Sequence, residues 1–109
     1  MPTNYKVLGQ SAPAATTATT LYTVPSATEA VVSSIIIANR DSASATFDIA
    51  IRPNGATLAN EHYIAKNITV GASDSTVLTI GVTLDAADVI TVNASTANLT
   101  FSAYGSQIS

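Results

Sequence analysis

An all-β fold, a single-domain antiparallel β-sandwich of about eight strands with a jelly-roll-like arrangement, is what this sequence predicts. Three observations lead there: a repeated two-residue alternation of apolar and polar side chains, turn-forming residues at regular intervals, and the lack of any sustained helical pattern. With 109 residues the chain is the size of one domain with a thin core.

The elements follow in order. Tyr5–Gln10 opens the chain as a short strand, and Leu21/Thr23 against Tyr22/Val24 alternate in a second at Thr19–Val24. The intervening Ser11–Thr20, rich in Ala and Thr, connects the two. Residues 1–20 are at the same time a candidate N-terminal arm contacting neighbouring subunits, because the stretch is nearly free of charge. Val31–Asn39 (VVSSIIIAN) is apolar on both faces, which predicts a central strand covered on each side. Ala45, Phe47, Ile49 and Ile51 alternate with Thr46, Asp48, Ala50 and Arg52, as expected of a half-buried strand. A further strand is placed near His62–Val70. Thr76, Leu78, Ile80, Val82 and Leu84 form one face of the next, followed by Val89–Asn93 and by the alternation of Leu99, Phe101 and Ala103. Pro25-Ser26, Asn39–Ser42, Pro53-Asn54-Gly55, Gly71–Asp74, Asp85–Asp88 and Asn93–Thr96 supply the turns. The Ala-rich windows are interleaved with Thr and Ser, which lower helix propensity.

Charged residues make up only 10% of the chain while hydrophobic ones reach 47%. A freely soluble monomer carries ~25–35% charge on its surface, so this surface is suited to lasting contact within a larger assembly. The net charge of −3 and the absence of any basic run argue against nucleic acid as a partner. Cys is absent, which removes disulfides and thiolate metal sites. Residues 1–25 lack a signal-peptide pattern, and no stretch approaches the ~18 apolar residues of a spanning helix. The expectation is a protein of a soluble compartment that engages no membrane.

No residue set predicts catalysis or a cofactor. His62 is the single histidine, accompanied in sequence by Glu61 and Tyr63. Neighbouring strand residues point to opposite faces, so Glu61 and His62 are not expected to share a ligand. Asp85 and Asp88 are expected to accept backbone N–H groups within their own turn, with Leu84 and Val89 entering the core on either side. The Asn67, Asn93 and Asn98 triplets match the glycosylation pattern but read as strand and turn residues in a Thr/Ser/Asn-rich β protein. Tyr5, Tyr22, Arg40, Arg52, His62 and Tyr63 are the partner-contact candidates, with Tyr104 of the same type, because Arg and Tyr combine large area with a polar end.

The segments YKVLGQSAP, LYTVP, VVSSIIIANR, ATFDIAIRPNGA, NEHYIAKNI and LTFSAYGSQIS, taken in order, resemble small virion proteins of tailed bacteriophages, particularly those of cyanobacteria and other aquatic hosts. The resemblance spans essentially the whole chain. It implies a capsid decoration or cement protein that bridges major-capsid subunits, or else a tail, baseplate or fibre component. In either role the partners are other proteins of the same virion, and a homo-oligomer, a trimer first, is expected. From the residues themselves, a carbohydrate-binding module is the competing class, weakened by the absence of Trp.

Overall fold

The structure, a computed structural model, describes residues 3–109. Eight strands appear in order: β1 (Thr3–Ser11), β2 (Thr19–Thr23), β3 (Glu29–Asn39), β4 (Ala45–Arg52), β5 (Tyr63–Val70), β6 (Ser75–Leu84), β7 (Val89–Ala94) and β8 (Leu99–Ile108). Among the described residues helix is confined to two three-residue 3₁₀ turns, Pro53–Gly55 and Asn60–His62, between β4 and β5. Among the described residues no helix is long and apolar enough to cross a membrane.

The strands form two four-stranded antiparallel sheets, ordered β1-β8-β3-β6 and β2-β7-β4-β5. Consecutive strands fall mostly in opposite sheets, and the first and last strands pair with each other. That is the jelly-roll arrangement of two interleaved Greek keys. Its pairings join residues far apart in sequence: β1 runs against β8 from Thr3↔Ile108 to Ser11↔Phe101.

The core lies between the sheets. Ile35, Ile37, Leu99 and Phe101 of the first sheet face Phe47, Ile49, Ile90 and Val92 of the second, all essentially without solvent exposure. Phe47 and Phe101 meet edge-to-face at 6.1 Å and 77°, the geometry aromatic quadrupoles favour. The alternations seen in sequence turn the expected way, with Leu78, Ile80 and Val82 packing against this core.

Several elements differ from expectation. β3 is central, between β8 and β6, but only one of its faces is covered: Ala30, Val32, Ile35 and Ile37 are buried, whereas Val31, Ile36 and Ala38 remain half-exposed. Its apolar outer residues therefore reflect β propensity and an uncovered face. A bulge at Ser33 shifts the register against both neighbours, which allows one strand to carry inward residues at both 32 and 35. The strand expected at Tyr5–Gln10 is present as β1, an edge strand of the first sheet, and Ala15 bridges to Ala94. Glu61 and His62 belong to a 3₁₀ turn instead of a strand, so strand alternation does not govern them.

Candidate interaction surface

The two sheets present very different outer faces. In the second sheet, Asp48, Ala50 and Arg52 of β4 pair with Asn93, Thr91 and Val89 of β7 and project away from the core. Nevertheless Ala50, Thr91 and Val89 are 1%, 6% and 6% exposed. The β4–β5 connection is the cover. Arg52 lies along the outer face, donating from Nε to Thr91 Oγ1 at 2.9 Å and from Nη1 to the Ala56 carbonyl at 3.0 Å. Asp88 Oδ1 accepts the Asn54 backbone N–H at 2.8 Å, and His62 Nδ1 accepts the Ala59 N–H at 3.0 Å. The Arg52 and Asp88 bonds strap the connection to the sheet at Asn54 and Ala56, and the His62 bond closes its second turn from within. Beyond the strap, Lys66 Nζ sits 3.2 Å from Asp48 Oδ2 and 4.5 Å from the centre of the Tyr63 ring.

The first sheet has no such cover. Cross-strand pairing aligns Val7 with Tyr104, Tyr5 with Ser106, Val31 with Ser106 and Ile36 with Val77 on its outer face. Tyr5 is 86% exposed, Val77 56% and Val7 44%, while Val31, Ile36 and Tyr104 are half-buried. Tyr5 and Tyr104 flank an open groove of about 460 Å³ lined also by Lys6, Val31, Ser33, Gly105 and Ser106. Of four basic and seven acidic side chains in the chain, Glu29 alone belongs to this face, at its end. Lys6 reaches its margin from the alternate set of β1, toward Gln107 Oε1 at 3.4 Å. The face is nearly uncharged but mixed, Tyr5, Val7, Val31, Ile36, Val77 and Tyr104 standing among Gln10, Ser34, Thr79, Thr83, Thr100, Ser102 and Ser106, so a partner meets hydroxyls as well as apolar area.

The sequence-derived contact residues do not converge. Tyr5 stands on the bare face. Tyr22 is a correction: it is 7% exposed and packs in the core, its hydroxyl accepting a hydrogen bond from Gln107 Nε2. The bulge between Thr20 and Tyr22 turns both Leu21 and Tyr22 inward, so Tyr22 has little surface to offer a neighbour. Arg40 is exposed but donates to the Ala97 carbonyl at 2.9 Å, tying two loops together. Arg52, His62 and Tyr63 are half-buried parts of the covered side. Tyr104, Val31, Ile36 and Val77 complete the bare face. The period-two pattern alone does not single them out, because it cannot tell which of two apolar faces will be covered.

Asp85 and Asp88 act within their turn as expected: Asp88 Oδ2 accepts the Asp85 N–H and Asp85 Oδ1 the Ala86 N–H, each at 2.8 Å. Among the described residues, no group of three or more His, Cys, Asp or Glu side chains is placed to hold a metal ion. Comparison of the sequence with protein-family models and with curated proteins returns no match.

Proposed function

We propose that this chain is a structural protein of a phage virion, a capsid decoration or cement protein that bridges major-capsid subunits and works by burial, without catalysis. The observation that carries the structural part of this reading is the uncovered, nearly uncharged outer face of the β1-β8-β3-β6 sheet, held on a jelly roll whose other sheet is covered over Ala50, Val89 and Thr91 but leaves Ile64 and Ile68 of β5 exposed. The phage setting rests on the whole-chain resemblance of the sequence. A contact of ~800 Å² per partner, repeated over a lattice, gives avidity beyond any single contact.

Labelled protein, or antibody against it, imaged on whole particles tests the proposal. A shell-wide signal is expected. A signal confined to the tail supports the tail, baseplate or fibre reading instead, and absence from purified particles removes both.

The groove between Tyr5 and Tyr104 favours one other reading, a carbohydrate-binding module. Two tyrosines beside Ser33 and Ser106 could stack on a sugar ring and hydrogen-bond its hydroxyls. Glycan-array binding by the isolated chain, lost in Tyr5→Ala, would support that reading over the structural one.

A further inference from the structure

We infer that the outer face of the β1-β8-β3-β6 sheet is the docking surface for a second copy of this chain, two copies packing sheet against sheet about a two-fold axis. The inference rests on reading this face as a contact surface, and it names the partner.

Charge argues for a like partner. The chain carries a net charge of −3, and a copy approaching through most other surfaces brings Asp41, Asp48, Asp74, Asp85 or Asp88 toward its mate. The bare face carries one carboxylate, Glu29, at its end and one ammonium, Lys6, at its margin beside the groove, so two copies meet there with little net repulsion and a strongly charged partner finds little to pair with. Self-association of one patch is also the arrangement closed two-fold symmetry requires.

Area agrees. The strands of this sheet are 9, 10, 11 and 10 residues long in the order β1, β8, β3, β6. At ~4.8 Å between strands and ~3.3 Å per residue they span roughly 19 by 33 Å, a flat area of roughly 600 Å². Side-chain relief raises the accessible area toward the ~800 Å² per partner of a standard stable interface. Tyr5, Val7 and Tyr104 lie on one half of the face and Ile36 and Val77 on the other, with Val31 between. A two-fold rotation can thus set the aromatic half of one copy against the aliphatic half of its mate, with the sheets ~10 Å apart as in any stacked pair.

Sedimentation of the full chain from ~1 to ~200 μM tests this. The expected species is a dimer of twice the 11.1 kDa chain mass. Ile36→Lys combined with Val77→Lys is expected to weaken it at least ~10-fold, while Thr69→Lys on the opposite sheet leaves it unchanged. Because the chain has no cysteine, Val31→Cys, which lies between the two halves and so faces its own copy near the axis, offers a second measurement that adds no buried charge. A short bis-maleimide should link Val31→Cys chains into dimers and leave Thr69→Cys chains monomeric. A monomer throughout, a trimer, or a dimer indifferent to these substitutions overturns the inference. A monomer whose Val77→Lys variant no longer binds particles also overturns it, assigning the face to the capsid instead. Particle imaging reads location and sedimentation reads self-association, so either proposal can fail without the other.

Discussion

The Asp88 carboxylate fixes Asn54 across 34 residues of sequence, Oδ1 accepting the Asn54 N–H at 2.8 Å while Oδ2 accepts the Asp85 N–H at 2.8 Å. One side chain thereby closes the β6–β7 turn and anchors the strap over the second sheet. Asn54 sits at φ 53°, a left-handed conformation that Asn tolerates better than most residues. Asp88→Ala is expected to cost ~1–3 kcal/mol, the range for freeing hydrogen-bonded groups. Asp88→Asn keeps one acceptor and should cost less. Asp85→Ala should cost least, since its carboxylate serves only the adjacent Ala86 N–H. Urea midpoints of the three variants check the order, and amide exchange at Asn54 should quicken in the Asp88 variants alone.

Asn39 is a buried junction at the opposite end of β3. At 4% exposure, its Nδ2 donates to the Ala43 carbonyl at 2.8 Å and the Gly71 carbonyl at 3.2 Å, while Oδ1 accepts the Asp41 N–H at 3.0 Å. The side chain must donate on one side and accept on the other. Asn39→Asp replaces the donor with an oxygen facing the Ala43, Val70 and Gly71 carbonyls, and is expected to destabilise by roughly 3 kcal/mol or more as a buried charge set against acceptors. Asn39→Ala, which leaves the carbonyls short of a partner but adds no charge, should cost about 1–3 kcal/mol. Equal thermal midpoints for the two would show that the added carboxylate costs nothing beyond the lost donor.

Asp48 and Lys66 form an ion pair of unequal partners. The Asp48 side chain is 13% exposed and that of Lys66 55%, and Asp48 Oδ1 also accepts the Asn67 N–H at 2.7 Å. That amide belongs to a bulged residue of β5 at φ 53°. Removing Lys66 breaks a solvent-screened contact and is expected to change stability by at most ~1 kcal/mol. Removing Asp48 leaves the Asn67 N–H unpaired and should cost ~1–3 kcal/mol. A double-mutant cycle should return a coupling below ~1 kcal/mol, with high salt narrowing it further.

Periodicity made β4, β6 and β8 legible, because each turns one set of alternate residues toward the core, and the turns between strands carry residues suited to tight connections. It placed Phe47, Ile49, Leu99 and Phe101 in the core correctly. Bulges were not legible: Ser33, Leu21 and Asn67 each break the alternation, and an extra residue in a strand is fixed by its neighbours' register rather than by its own chemistry. Tyr22 was misplaced for that reason. The bare face was half legible, since VVSSIIIAN announced apolar residues on both sides but not that one side would lie open. The strap that covers the second sheet depends on Arg52, Asp88 and His62 meeting backbone groups of residues 53–62. Single-sequence spacing does not bring those groups together.

Gly105 tests how tightly the bare face is constructed. A Cβ built on it falls 1.9 Å from the Val31 carbonyl oxygen and 2.9 Å from the Val31 carbonyl carbon, so β8 approaches β3 closely where only hydrogen fits. These are backbone atoms of a central strand and cannot swing aside as a side chain would. Gly105→Ala must push β3 from β8, and is expected to cost ~1–3 kcal/mol, the range for overpacking. Gly71→Ala is the control: its Cβ meets nothing nearer than Asp74 Oδ2 at 3.7 Å, and the change should stay within ~0.5 kcal/mol. Gly105 also lines the groove between Tyr5 and Tyr104, so displacing β8 there spoils the shape of the outer face. Self-association should therefore weaken in Gly105→Ala even at temperatures where the chain remains fully folded. Unchanged sedimentation in a destabilised variant would instead place the contact toward Ile36 and Val77.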